Sequence, residues 1–103
     1  MGKISVIVKE PGKTPRHVNI SNTLENLQKA VGGYIECVTL ASDLVAICDE
    51  EGRIKGKEHC CNIYGIDFCG TVILAGIEDD EFADIPHKFA DYKRLFPGLW
   101  RGC

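Results

Sequence analysis

No apolar run in this chain approaches the roughly 20 residues that a membrane-spanning helix needs. A basic excess is also missing. Lys plus Arg number 12 against 15 Asp plus Glu, a formal charge of −3, which argues against a protein held on long nucleic acid by its phosphates. That balance leaves room for a local basic pocket that takes a small anion. No glycine-rich loop opens a helix, as phosphate binding at a helix N-terminus requires. Gly32-Gly33 ends one instead, so the helix dipole points the wrong way. There is no C-x-x-C pair of the kind that builds zinc sites. The acidic turn Glu78-Asp79-Asp80-Glu81 lacks the spaced oxygens of a calcium loop. The layout of a signal peptide is absent too, because Met1-Gly2-Lys3-Ile4-Ser5 passes straight into a strand pattern. The expected location is the cytoplasm, with no membrane and no long nucleic acid as partner.

What is present fits one small domain. The 103 residues, 45% of them hydrophobic, leave no room for a second core, and self-association would add buried surface. We expect a single domain over 1–103, with its core in 3–96 and a tail at 97–103. The six cysteines, Cys37, Cys48, Cys60, Cys61, Cys69 and Cys103, stand out. Cys37, Cys48 and Cys69 lie inside apolar strand patterns, where a free thiol acts as a small hydrophobe. Three disulfides, or a metal held by His59, Cys60 and Cys61, are the alternatives.

Lys3 to Lys9 is rich in β-branched residues and reads as a strand. Glu10-Pro11-Gly12-Lys13 turns, and Arg16 to Ile20 continues as a second strand after Pro15. Asn22 is placed to cap a helix, with Glu25 reaching back in a capping box. Leu24, Leu27 and Val31 share one helical face with Ala30 beside it, and Gly32 stops the helix. A third strand is expected over Tyr34–Leu40 and a fourth, interior one over Leu44–Cys48, joined by Ala41-Ser42-Asp43. Arg53 to Asn62 is polar and the least regular part. Asp67 to Ala75 is the longest apolar run and the candidate for the sheet centre. Asp84 is expected to cap a second helix with Pro86 in its first turn and Phe89, Tyr92, Leu95 and Phe96 as its apolar stripe. The expectation is an α+β fold: a mainly antiparallel sheet of about five strands, one short helix packed on it, and a C-terminal helix, in the order ββαβββα.

Catalysis has little to rest on. Cys60 or Cys61 beside His59 supplies a thiol and a base, but strand neighbours point to opposite faces and no helix N-terminus lowers the thiol pKa. Asp49, Glu50 and Glu51 read as solvated turn carboxylates. Two features fit binding better. Pro11-Gly12-Lys13 with Arg16 places backbone N–H groups and two cations at one hairpin end, where an anion can sit. Tyr34 follows the bare backbone of Gly33, where a planar group can stack. Asn62 and Tyr64 add an amide and a phenol. The ligand-binding set is therefore Lys13, Arg16, Tyr34, Asn62 and Tyr64, with no catalytic residue, metal or cofactor. Trp100 beside Arg101 offers an interface pair, or a cover for the bottom of the domain.

Several blocks in order, Val8-Lys9-Glu10-Pro11-Gly12-Lys13, Leu24-Glu25 through Leu27-Gln28 to Val31-Gly32-Gly33-Tyr34-Ile35-Glu36, Leu44 to Gly52, and Cys61-Asn62-Ile63-Tyr64-Gly65 to Thr71, resemble an uncharacterised family. It comprises short proteins of phages, conjugative elements and Gram-positive bacteria, catalogued as a domain of unknown function. Where that family often carries an Asn-Arg pair, this chain reads His59-Cys60-Cys61-Asn62-Ile63. The resemblance brings no catalytic residues. It implies a small accessory protein of a mobile element, of the kind that counters host defence. On that basis the expected function is a non-enzymatic homo-oligomer that sequesters a small nucleotide-derived signal. Lys13 and Arg16 would meet phosphate, Tyr34 would stack on a ring, and Asn62 would read polar edges. The alternative is an interaction module that inhibits a host defence protein through an acidic face.

Overall fold

The computed structural model describes residues 2–100. Strands β1 (Lys3–Lys9) and β2 (Arg16–Ser21) precede helix α1 (Leu24–Val31). Strands β3 (Ile35–Ala41), β4 (Leu44–Asp49), β5 (His59–Ile63), β6 (Ile66–Cys69), β7 (Val72–Glu78) and β8 (Glu81–Ala83) follow. The chain ends in a single helical turn α2 (Tyr92–Leu95), flanked by 3₁₀ turns at Phe89–Asp91 and Pro97–Leu99. Arg101 and Cys103, parts of the expected tail, lie outside the described residues.

The fold is α+β. The main sheet is antiparallel throughout, in the order β2-β1-β7-β4-β3, with β8 paired to the end of β7. β5 and β6 form a separate hairpin. β4 is buried at every position, because the sheet is covered on both faces. On one face Leu27 and Val31 of α1 pack over Val6, Val45, Ile47 and Ile73. On the other, Cys61, Ile63 and Phe68 of the hairpin, with Tyr92, Phe96 and Leu99, pack over Ile7, Ala46 and Leu74. A continuous apolar β4 and β7 is the sequence consequence of this three-layer arrangement. Burying Leu27 alone stabilises by on the order of 2 kcal/mol.

Several expected details differ. Thr23, not Asn22, caps α1: its hydroxyl accepts from the Asn26 backbone N–H at 3.2 Å. Asn22 instead donates its amide to the Phe82 carbonyl, which ties the helix entrance to β8. The run from Asp67 to Ala75 is not one strand, because Gly70, at φ 83°, breaks it into β6 and β7. β7 does lie at the sheet centre. Part of the irregular stretch 53–62 becomes β5. Asp84 caps no helix; its carboxylate accepts from the Ser5 backbone N–H at 2.7 Å. The C-terminal helix shrinks to one turn, since Phe96 leaves helical geometry before Pro97.

One end of the sheet collects most of the polar chain. The registers Val8↔Arg16, Lys9↔Val72, Ile47↔Ile73 and Ile35↔Asp49 bring the Pro11-Gly12 turn, the β6–β7 crossover, the β4–β5 loop and the α1–β3 junction to the same edge.

Candidate functional site

At that end a cleft of about 470 Å³ opens between the β1–β2 turn, β5 and the last 3₁₀ turn. Gly12, Glu58, His59, Cys60, Cys61, Asn62 and Gly98 line it. Its β5 wall owes its shape to a bulge. His59 faces Cys69 and Cys61 faces Phe68, so Cys60 is the extra residue between two pairs. The bulge overrides strict alternation: Cys60 and Cys61 are both buried toward the sheet, and His59 and Asn62 are both exposed. His59 thus points away from Cys60, as strand neighbours are expected to, and the bulge buries Cys61 away from His59 as well.

Below them sits an unexpected group. Lys9 ends β1 with 1% of its surface exposed. Its ammonium donates to the Glu10 carbonyl at 2.8 Å, and no ion pair among the described residues includes it. A buried ammonium without a carboxylate is costly unless its surroundings supply negative potential. Cys60 adjoins it and donates its S–H to the Lys9 carbonyl oxygen at 3.3 Å. A hydrogen bond from Cys61 and the charge of Lys9 draw the Cys60 thiol below the usual range, against the opposing effects of burial and Glu10.

The outer wall is a short polar network. His59 Nε2 lies 3.1 Å from Asp67 Oδ1, and the Asn62 amide donates to the same oxygen at 2.9 Å. These two bonds, Asn62's first, hold the Asp67 carboxyl below its ordinary value. The Asn62 carbonyl accepts from the Gly65 backbone N–H at 3.0 Å. This bond pins a two-residue turn in which Tyr64 (φ 52°) and Gly65 (φ 80°) are both left-handed. Both ends of the Asn62 amide are thus engaged, and a ligand would have to displace one of these bonds. The Tyr64 ring packs 5.3 Å from Phe96 with much of its surface in solvent.

The remaining expected residues divide. Lys13 and Arg16 both approach the Glu10 carboxylate, at 3.7 and 3.4 Å, beside the cleft's Gly12. Tyr34 is 68% exposed and adjoins β3, four strands from Arg16. That separation is roughly 19 Å at about 4.8 Å per strand, too far for one mononucleotide to touch both. The bare face of Gly33 is not open for stacking either. A Cβ there would lie 2.7 Å from the Asp49 carboxylate.

Asp49 itself corrects the picture of solvated turn carboxylates. Its side chain is buried and bound by Lys57 at 2.7 Å and Lys55 at 2.9 Å, and it also accepts from the Glu51 backbone N–H. These contacts, led by Lys57, hold its carboxyl far below the normal range despite the opposing effect of burial. Lys57 further donates to the Val31 carbonyl at 2.7 Å, where cations at a helix C-terminus are favoured. Lys55 and Lys57, absent from the sequence reading, therefore clamp the β4–β5 loop to α1. The signal for Cys60 was two adjacent apolar residues within a polar strand. The signal for Asp49 was a carboxylate followed within eight residues by two lysines.

A second cleft, of about 450 Å³, lies where β3 and β4 meet β6, bordered by Glu36, Glu50, Asp67, Val38, Ile54 and Ile66. Burial, then Glu36, pushes the Cys48 thiol in its floor up to about 11. No helix among the described residues is long and apolar enough to cross a membrane, and no group of three or more His, Cys, Asp or Glu among them is placed to hold a metal ion.

No curated protein matches the chain, and no solved structure does. Residues 4–97, which span β1, the clamp, the bulged strand and the hairpin, match the family described as a domain of unknown function, DUF3846, and the chain belongs to that family.

Proposed function

We propose that the protein is a non-catalytic binder of a small nucleotide-like anion, and that it sequesters such a signal for a phage or mobile element in the host cytoplasm. The observation that carries the reading is the 470 Å³ cleft. It joins the Pro11-Gly12-Lys13 turn to His59 and Asn62, nearly fifty residues later in the chain. Its volume lies in the range of small-molecule sites. Lys13 and Arg16 belong to the same hairpin end as the cleft's Gly12, and an entering phosphate would take the place of the Glu10 carboxylate on Arg16. Tyr34 falls outside this cleft, so a ring-stacking role for it requires a second protomer. Native mass spectrometry of freshly purified protein, followed by a thermal-shift panel of cyclic nucleotides and ADP-ribose derivatives, tests the reading. Bound mass or a ligand-induced shift that is lost in Lys13→Ala/Arg16→Ala is the expected result. A bare chain unmoved by the whole panel overturns it.

The alternative, inhibition of a host protein by direct binding, is favoured by one observation. Ile54 is 85% exposed, and with Ile66 it borders the second cleft beside Glu36, Glu50 and Asp67. An apolar contact ringed by carboxylates suits a partner with a basic rim. A stoichiometric host protein captured by the wild type and lost with Ile54→Asp would support this reading over the first.

A further inference from the structure

Both outer strands of the main sheet have a free edge. Among the described strands β2 pairs only with β1 and β3 only with β4, so each leaves a row of backbone groups facing outward. The last bond of each ladder shows which groups these are. The Glu50 N–H donates to the Tyr34 carbonyl, so alternation turns Tyr34, Glu36 and Val38 toward β4 and leaves Cys37 and Thr39 facing outward. The Asn22 N–H donates to the Gly2 carbonyl, which by the same rule leaves His17 and Asn19 facing outward on β2. Each pairing between β2 and β3 across the sheet is antiparallel, so these first and fifth strands run in the same direction. We propose that the chain assembles head to tail through these edges, β3 of one copy adding to β2 of the next as a parallel strand.

Faces and charges both fit. A parallel pair sets an outward-facing residue of one strand against an inward-facing residue of the other. Cys37 and Thr39 lie on the α1 side of the sheet with Ile47 and Val45, and the inward-facing Val18 and Ile20 of β2 lie on that same side. Along the edge of β2 runs a groove of about 340 Å³ whose lining includes Lys3, Asn19, Ser21, Asn26 and Lys29 and no carboxylate. Lys3 and Lys29 enter no ion pair among the described residues. β3 is the acidic counterpart, with exposed Glu36 near its start and exposed Asp43 just beyond its end. Parallel alignment brings Arg16 to the Glu36 end and Lys3, which faces Ser21, to the Asp43 end. A β3 edge against a second β3 would run antiparallel and turn Glu36 toward the other copy's Asp43. Arg16 starts β2 and Tyr34 immediately precedes β3. Adjoining copies therefore bring their backbones within one strand spacing, about 4.8 Å, in place of the four strands between them in one chain.

This deepens the anion-binding reading by giving Tyr34 its second protomer. The assembly needs no ligand, and its test reads mass and exchange alone, so either idea can fail without the other. Sedimentation of ligand-free protein over a wide range of concentration should show a mass that climbs past the dimer, because a head-to-tail contact leaves a free edge at each end. Asn19→Pro and Thr39→Pro each remove an outward N–H and no ladder bond. Each variant alone should be a monomer, and an equal mixture should stop at a dimer, since each keeps the edge that the other lacks. Amide exchange in the wild type decides if either variant fails to fold. His17, Asn19, Cys37 and Thr39 should all slow about tenfold as the protein is concentrated. A wild type that stays monomeric, a dimer that persists in either variant alone, or protection confined to one of the two edges overturns the proposal.

Discussion

Asp49 shows how one side chain organises its surroundings. Its carboxylate occupies the space beside Gly33, which explains why a second glycine follows the left-handed Gly32 that ends α1. A Cβ at position 33 would press on a group that two lysines hold in place. Gly33→Ala should therefore cost about 1–3 kcal/mol. Asp49→Ala should cost about 2 kcal/mol, because Lys55 and Lys57 retain access to water when freed. The double variant should lose clearly less than the sum, since removing the carboxylate removes the clash. Urea unfolding of the four proteins checks this, and strict additivity would refute the contact. The sign of the pH effect follows from the lowered Asp49 carboxyl. Its contribution is present above the unfolded-state value of about 3.9 and is lost as pH falls through the lower folded value. The wild type should thus lose stability on acidification below about pH 4, and Asp49→Asn should flatten that limb. None of this was legible from Asp49-Glu50-Glu51-Gly52 alone, because a turn carboxylate looks solvated until the loop beyond it folds back.

Among the elements, legibility tracked how local the determining interactions were. The helix was readable from Leu27 and Val31 and its glycine stop, and β4 from its unbroken apolar run. The cap was misplaced by one residue because Asn22 and Thr23 are both good capping types. The choice was made by a distant group, the Phe82 carbonyl, which takes the Asn22 amide. Thr23→Ala should therefore lower stability by about 1 kcal/mol through fraying of the first turn, visible as faster amide exchange at Asn26. Glu25→Ala should change little, which a reciprocal capping box would not allow. The C-terminal helix is present but shorter than its pattern suggested, for a related reason. Tyr92, Phe96 and Leu99 carry a helical spacing, yet their burial is set by the shape of the β5–β6 hairpin rather than by a helix axis. The last turn presses so closely on that hairpin that a Cβ at Gly98 would lie 2.3 Å from the Asn62 carbonyl oxygen. The Cys60 bulge was likewise invisible to a reading that assumed alternation.

At the scale of the whole molecule, the sheet is a shared wall between two apolar layers. α1 packs on one side and the hairpin with the C-terminal turns on the other. β4 and β7 contribute alternate residues to both, Ile47 and Ile73 to the helix side and Ala46 and Leu74 to the hairpin side. Neither layer can detach without exposing one face of the same two strands, so the layers should unfold together. Two signals follow them. Its single Trp, Trp100, packs against the hairpin-side cluster and lies 6.0 Å from Phe89. The far-ultraviolet circular dichroism signal reports the backbone of both sides, α1 and the sheet included. Tryptophan fluorescence and circular dichroism should give coincident urea transitions, in the wild type and in two variants that each weaken one side. Leu27→Ala on the helix side and Leu99→Ala on the hairpin side should each cost about 2–4 kcal/mol while leaving the two probes superimposed. If Leu99→Ala instead moved the fluorescence transition to lower urea and left most of the dichroism in place, the hairpin and C-terminal turns would be a separately melting cover. The cleft would then open by local unfolding of that cover rather than being preformed.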